Sequence, residues 1–165
     1  MNIKRIATHL FVTRWQVKRA FDSGAMSAIE KAIKASEAQH AGQIRFVVEG
    51  GLDGWPLLKD QTARERAIEV FSQLRIWDTE HNNGLLIYLL LADRAVEIVA
   101  DRGIHAKANA RDWNEICRQM EAAFRQSEYE GGALLGLQSV TRHLVAHFPA
   151  NGLSPNELPD TPVIL

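Results

Sequence analysis

The chain has little of what marks secreted or membrane-spanning proteins. Its 165 residues include a single cysteine, Cys117, so the disulfide framework of small secreted domains is excluded. The longest apolar run, residues 85–92, has the length of one buried strand and falls far short of the roughly twenty residues that a membrane-spanning helix needs. The N-terminus has neither the uninterrupted apolar segment nor the cleavage pattern of a signal peptide. We therefore expect a cytoplasmic protein with no transmembrane segment.

The chain also lacks a strong net charge, because nineteen basic residues nearly balance twenty acidic ones. This balance, and the lack of an aromatic row suited to base stacking, predict no nucleic-acid partner. No lysine stands at Walker spacing after Gly50, Gly51 or Gly54, so we expect no phosphate-binding glycine loop and no organic cofactor. The charge is nevertheless uneven, because the first twenty residues hold five basic side chains and no carboxylate.

Hydrophobic periodicity and capping signals predict five helices. Residues 3–21 carry apolar side chains at helical spacing, which predicts one basic amphipathic helix. Such a helix could lie on an anionic membrane or partner, but ordinary docking by its apolar stripe is the favoured interpretation. Capping boxes at residues 27–30 and 62–65 predict the starts of two more helices. Another is predicted behind Asn109, and the last after an interruption at Gly131-Gly132.

Three segments have the pattern of strands. Residues 43–48 alternate in polarity, residues 84–91 are almost continuously apolar, and residues 95–100 alternate again after a short polar break. The helix between the first two implies a parallel pair, and the short break implies an antiparallel hairpin. We predict an α/β fold, specifically a three-layer α/β/α sandwich with a small mixed central sheet flanked by helices. The chain should divide into an N-terminal helix at 1–21, an α/β domain at 22–148 and an extended C-terminal tail at 149–165.

Polar side chains should collect at the end of this sheet where the central strand begins. Because the third strand is antiparallel to the central one, its exit at Asp101 should meet the loop at residues 77–83. Carboxylate and amide oxygens are ligands that calcium and magnesium prefer, so a divalent cation is the predicted cofactor. The predicted ligands are Asp78, Glu80, Asn82, Asn83 and Asp101, with Arg102 and His105 beside them as phosphate or charge partners.

Two other interpretations of these polar groups stay open. The loop can equally be a solvated turn in which the Asp and Asn side chains satisfy the backbone. The opposite end of the sheet offers a second candidate edge, where Glu49 and the turn residue Asp93 should lie together.

Six short features occur together in this chain in a particular order. They are an amphipathic helix before the strand Gln43–Val48, a helix ending in Ile76-Trp77, Asn82-Asn83-Gly84 before Leu85-Leu86-Ile87-Tyr88, a hairpin at Asp93-Arg94, the exit Asp101-Arg102-Gly103-Ile104, and the passage from Phe124 to Leu135. In this combination the chain resembles the TPM domain family over about residues 22–148. That family includes a thylakoid-lumen photosystem-repair protein and many membrane-tethered bacterial proteins. The resemblance implies an α/β/α sandwich, and it links the chain to acid-phosphatase activity and to calcium binding by acidic loop residues at the sheet edge.

The chain departs from the family's usual pattern at two places. The family usually has Asp-Asn-Gly where this chain has Asn82-Asn83-Gly84, and a glutamate often follows the exit where this chain has Ile104-His105. Both differences remove a carboxylate, so a cation site here would depend on Asp78, Glu80 and Asp101. Members also commonly carry a signal peptide and a membrane anchor, and this sequence shows neither.

Two functions follow as hypotheses. The first is a non-catalytic interaction or accessory module with a weak calcium or magnesium site, which binds or stabilises an unidentified membrane-associated protein. The second is a metal-assisted acid phosphatase of low activity, in which Asp78 and Asp101 hold the cation and Arg102 neutralises developing charge. We favour the module, because the sequence offers fewer titratable groups than a hydrolase should have.

Overall fold

The structure is a computed structural model that describes residues 3–150, 152 and 155–165. In that part of the chain, no helix combines the length and the apolar character that crossing a membrane requires. The helices are α1 (Ile3–Phe11), α2 (Arg14–Ala20), α3 (Ser23–Glu37), α4 (Gly54–Leu58), α5 (Ala63–Gln73), α6 (Arg102–His105), α7 (Ala110–Arg125) and α8 (Tyr129–His147). The strands are β1 (Gln43–Glu49), β2 (Gly84–Leu90), β3 (Ala95–Ala100) and β4 (Val163–Ile164).

The four strands form one mixed sheet in the order β3-β2-β1-β4. Strand β1 runs parallel to β2, with Gln43 opposite Gly84, and α5 lies on the connection between them. Strand β3 returns antiparallel to β2, with Leu85 opposite Ala100. The predicted parallel pair and hairpin are therefore confirmed.

Both faces of the sheet are covered, which explains why β2 is apolar throughout. Every residue of β2 is buried. Leu85, Ile87 and Leu89 belong to a core with residues of α3, α7 and α8, whereas Leu86 and Leu90 pack on the other face with α5. The sheet therefore lies between two layers of helices, and the predicted α/β/α sandwich is confirmed.

The prediction of one helix over residues 3–21 is wrong, because the chain forms two helices there. Thr13 begins the second helix with a capping box in which its Oγ1 accepts from the Gln16 amide at 3.4 Å, and its own amide donates to Gln16 Oε1 at 2.8 Å. These bonds satisfy amides that a helix start leaves free, so a break at Thr13 is stable. Residues 1 and 2 of the predicted helix lie outside the described residues.

Two other helix boundaries differ from the prediction. Helix α3 begins at Ser23 rather than Ser27, because Asp22 caps it by accepting from the Ala25 amide at 2.8 Å. Helix α8 runs through Gly131-Gly132 instead of starting after it. At Gly132 a Cβ atom would lie 2.8 Å from the Cβ of Ala123, so this glycine allows α7 and α8 to pack closely.

The C-terminal tail has a larger part in the fold than an extended surface segment would have. Its residues Val163 and Ile164 form β4 beside β1, and Leu158 is buried in the core. Gln43 Oε1 accepts from the Leu158 amide at 3.1 Å, and the Arg45 guanidinium donates to the carbonyl of Thr161 at 3.2 Å. Residues 151, 153 and 154 of the predicted tail lie outside the described residues.

Candidate functional site

The loop before β2 is closed by a tight backbone approach. A Cβ atom on Gly84 would overlap the carbonyl of Ile76, so only glycine fits at the first position of the strand. Asn82 has a φ of 50°, in the left-handed region where asparagine is tolerated better than most residues. Asparagine and glycine at these two positions are therefore explained by the backbone alone, independently of any ligand.

The exit of β3 meets this loop at the same end of the sheet. The Asp101 amide donates to the Gly84 carbonyl at 2.9 Å, and the Gly103 amide donates to the Asn82 carbonyl at 2.9 Å. The Arg102 guanidinium also donates to Asn82 Oδ1 at 3.1 Å. The structure thus places Asn82, Asp101 and Arg102 beside one another.

Two buried side-chain oxygen atoms at this edge have no hydrogen-bond partner. Asp101 is the N-cap of α6, where its Oδ1 accepts from the Arg102 amide at 2.7 Å, but its Oδ2 is unpaired. Asn83 donates from Nδ2 to the Ala41 carbonyl, but its Oδ1 is unpaired. Within residues 3–150, 152 and 155–165 only two other buried side-chain N or O atoms share this condition, on Gln61 and Trp113. Each such atom costs about 1–3 kcal/mol in lost solvation, so this edge is the clearest site of unsatisfied polarity.

The other predicted site residues, the ligands Asp78 and Glu80 and the charge partner His105, have surroundings of their own. Asp78 forms a 2.6 Å ion pair with Arg75 and is half exposed. Glu80 has an exposed side chain, and its amide donates to Glu157 Oε2 at 2.9 Å. His105 is exposed on α6. Across the part of the chain that the structure describes, no three His, Cys, Asp or Glu side chains are grouped closely enough to hold a metal ion.

At the opposite end of the sheet, Glu49 forms a buried ion pair that sequence reasoning did not identify. The Arg66 guanidinium donates to both carboxylate oxygens of Glu49 at 2.9 Å, and the Tyr88 hydroxyl donates to Oε2 at 2.6 Å. The hydrogen bonds to Glu49 raise the pKa of Arg66, and burial together with the carboxylate raises the pKa of Tyr88. Both carboxylate oxygens have strong donors, so this group stabilises the fold.

Asp93, the other residue of that second edge, has partners of its own on α1. Its carboxylate accepts from Arg5 Nη2 at 2.8 Å and lies 2.9 Å from Nε2 of the buried His9. His9 Nδ1 accepts from the Leu52 amide at 2.9 Å, so Nε2 carries the proton and donates to Asp93. Burial opposes ionisation of Asp93, but the bonds from Arg5 and His9 outweigh it and lower its pKa. The edge is therefore a contact between the N-terminal helix and the sheet.

A buried serine and histidine also meet between α3 and α8. His40 Nδ1 accepts from the Gly42 amide at 3.1 Å, so the ring is protonated on Nε2, which donates to Ser36 Oγ at 2.7 Å. Ser36 Oγ lies 2.6 Å from Thr141 Oγ1, which donates to the Leu137 carbonyl at 2.7 Å. Burial lowers the pKa of His40 to about 4. In this arrangement the ring donates to the serine, whereas a general base would have to accept its proton.

Cys117 is the one thiol of the chain, and it lies in the apolar stripe of α7. Burial raises the pKa of this thiol to about 12. A thiol that remains protonated at neutral pH is a poor nucleophile and a poor metal ligand, so Cys117 packs the core.

Together these features define an α/β/α domain with a mixed sheet and one edge of unsatisfied oxygen atoms. The family described as the TPM domain matches residues 17–143. The chain therefore belongs to the TPM domain family, which confirms the resemblance seen in its sequence. No curated protein matches the chain.

Three solved structures share the fold. The NMR structure of the BA42 protein from the psychrophilic bacterium Bizionia argentinensis has 26% identity, covers 87% of this chain and 94% of BA42, and has a TM-score of 0.76. The N-terminal domain of a P. gingivalis protein has 19% identity and a TM-score of 0.62, over 79% of this chain and 82% of that one. The N-terminal domain of cg2496 from Corynebacterium glutamicum has 15% identity and a TM-score of 0.56, over 82% of each chain. The last two similarities show the fold alone.

Proposed function

We propose that this chain is an accessory module of the TPM family that binds a divalent cation where β2 begins and β3 ends. The observation that carries the proposal is the pair of buried, unpartnered oxygen atoms, Asn83 Oδ1 and Asp101 Oδ2. The backbone bond from Asp101 to Gly84 makes their residues neighbours. Hard cations take oxygen ligands of these types, and a bound cation would also compensate the buried charge of Asp101.

The composition of this edge favours calcium over magnesium, and weak binding over tight binding. Calcium accepts six to eight oxygen ligands in flexible geometry, whereas magnesium demands a near-ideal octahedron and dehydrates reluctantly. Asp101 would supply the charge and Asn83 a neutral oxygen, with carbonyl groups and water completing the shell. Sites with few charged ligands bind calcium with dissociation constants of roughly 10⁻⁴–10⁻³ M. The module is therefore expected to sense calcium at high concentration or to use it for local stability.

Calcium titration followed by backbone NMR tests the proposal. The expected result is a saturable set of shifts confined to residues 78–84 and 101–105. Asp101→Asn should abolish these shifts, and it is a fair test because asparagine caps a helix as well as aspartate does. Asp53→Asn is the matched control, because Asp53 is also an N-cap carboxylate, makes no side-chain cap bond and follows β1 at the other end of the sheet.

Two results would overturn the proposal. One is the absence of any calcium-dependent shift at millimolar concentrations. The other is loss of the shifts in Asp78→Asn with their retention in Asp101→Asn, which would assign calcium to the solvated part of the loop.

The same purified protein tests the acid-phosphatase alternative. The phosphatase alternative is motivated by Arg102, whose exposed guanidinium donates to Asn82 and which follows Asp101 in the chain. The module hypothesis predicts no hydrolysis of p-nitrophenyl phosphate with calcium, magnesium or manganese across pH. Metal-dependent hydrolysis that falls in both Asp101→Asn and Arg102→Gln would replace the module by an enzyme.

A further inference from the structure

Three of the four large apolar side chains of helix α1 face solvent, whereas the fourth, Ile6, packs partly buried against the core. At 100° per residue, Ile3, Leu10 and Phe11 occupy one sector of about 100°. These three side chains are 75%, 66% and 76% exposed, whereas His9 is 3% exposed. An amphipathic helix on a globular protein normally buries its apolar stripe and exposes its polar one. Here the polar residues Arg5 and His9 face the sheet instead.

Polar contacts fix α1 in this orientation. Asp93 accepts from Arg5 and from His9, and the Leu52 amide donates to the other side of the His9 ring. Arg5 also pairs with Asp60 at 3.0 Å. Rotating the helix to bury its apolar face would break all of these bonds and leave Asp93 without its partners. The outward apolar face is therefore a property of the folded chain.

The neighbouring helices α2 and α4 also expose aromatic side chains. Trp15 on α2 is 65% exposed, with the Arg19 guanidinium 5.4 Å from its ring centre. Helix α4 contacts α1 and exposes Trp55, with the Lys59 ammonium 5.3 Å from its ring. Exposed tryptophan rings beside cations suit the boundary between water and lipid. The apolar part of each ring can contact lipid there, while its polar N–H and the neighbouring cation stay in contact with water.

The charged side chains of helices α1 and α2 themselves are all basic. Lys4, Arg14, Lys18 and Arg19 are all exposed, and the sequence has no carboxylate before Asp22. A second copy of the chain fits poorly, because a symmetric contact would bring the same cations face to face. An anionic lipid surface offers both an apolar layer for Phe11 and Trp15 and negative charge for the cations.

We infer that α1 and α2 form a docking surface for an anionic lipid bilayer. The apolar face of α1 enters the boundary between headgroups and acyl chains, and the basic side chains contact lipid phosphates. The domain associates with the membrane reversibly through this surface, and the proposed cation site at the start of β2 has no part in the contact.

Co-sedimentation of the full chain with vesicles tests this inference. Vesicles of phosphatidylcholine with phosphatidylglycerol are compared with vesicles of phosphatidylcholine alone, in chelator so that calcium cannot bridge protein and lipid. The expected result is binding to the anionic vesicles that weakens with added salt, and little binding to the neutral ones. Phe11→Ser with Trp15→Ser should reduce the partition coefficient by at least about tenfold, and Lys18→Gln by about fivefold.

Trp77→Ser is the matched control, because Trp77 is also exposed and also lies beside an arginine, but on the loop before β2. Its binding should equal that of the unchanged chain. All variants alter exposed side chains, so circular dichroism should show the same folded signal. No vesicle binding, equal binding to neutral vesicles, or equal loss in Trp77→Ser would each overturn the inference. Cross-linking of α1 to an acidic protein without any vesicle binding would assign the surface to a protein partner instead.

Discussion

The backbone of Gly84 lies against the carbonyl oxygen of Ile76 with no room for a Cβ atom between them. This contact folds the loop at residues 77–83 back on the end of the preceding helical turn. It also sets where β2 begins, because Gly84 is the residue opposite Gln43 in the parallel pair. The edge that holds the unpaired oxygen atoms of Asn83 and Asp101 is therefore positioned by a steric fit at one glycine.

Replacing that glycine should be severely destabilising. In Gly84→Ala the new methyl group overlaps backbone rather than a flexible side chain, so the loop or the strand must move at a cost of at least about 2 kcal/mol. Gly131→Ala is the control, because Gly131 is an exposed helical residue where an added Cβ atom would have no neighbour within 4 Å. It should gain roughly 0.5–1 kcal/mol from helix propensity. Urea unfolding of both variants measures the difference, and similar changes would contradict the steric account.

The Glu49–Arg66 pair should contribute far more than a surface ion pair. Arg66→Met keeps the side-chain stem but leaves the Glu49 carboxylate buried without its cation, at an expected cost of about 3 kcal/mol. Arg118→Met removes an exposed partner of Glu115, and should change the free energy of unfolding by less than about 0.5 kcal/mol. Chemical unfolding at pH 7 compares the two. Equal losses of unfolding free energy would show that burial does not make the Glu49–Arg66 pair more stabilising than an exposed pair.

The buried His40 should make the fold sensitive to mild acid. Burial lowers the pKa of His40 from 6.5 to about 4, so between these values the unfolded chain binds a proton that the folded chain does not. Above pH 6.5 the buried neutral ring costs no stability. As the pH falls towards 4, the free energy of unfolding decreases by up to about 3 kcal/mol. In His40→Gln the curve of unfolding free energy against pH should be flatter over this window. Parallel curves for the two proteins would refute the assignment.

Glu37 should produce the opposite trend. Burial raises the pKa of Glu37 from 4.5 to about 8, with nearby Asp160 acting in the same direction. Between these values the folded chain holds the extra proton, so the contribution of Glu37 falls as the pH rises from 4.5 through 8. Glu37→Gln should therefore stabilise the protein at pH 8.5, by on the order of 2 kcal/mol after allowance for partial exposure. Glu115→Gln, an exposed change of the same kind, should not show this dependence.

The regular parts of the fold could be predicted because their signals are local. Thr62 and Asn109 cap the helices that their sequences predict, and the apolar run of β2 is buried on both faces as expected. The hairpin after β2 also follows from a short polar break between two strand patterns. Thr13 and Gln16 also have the spacing of a capping box, but the prediction of a single helix rested on apolar periodicity alone.

Contacts between distant segments could not be predicted in the same way. Nothing near His9 in the sequence indicates that it faces Asp93, and nothing near Arg45 indicates the tail carbonyls that it binds. The edge where β2 begins and β3 ends could be predicted only in part. The hairpin geometry predicted that Asp101 would approach the loop, but which oxygen atoms stay unpaired depends on the side-chain bonds of Asn83 and Asp101.

The short strand β4 has a consequence for how this protein behaves in concentrated solution. Strand β1 is seven residues long and fully buried, and β4 pairs with it on its outer side at Val47 and Val48. Without that cover, β1 would present free amides and carbonyls to any other extended chain, which is how sheets add strands between molecules. The last residues of the described chain thus protect β1 from edge-to-edge aggregation. A variant cut before Leu158 should form soluble oligomers or precipitate at concentrations where the full chain does not.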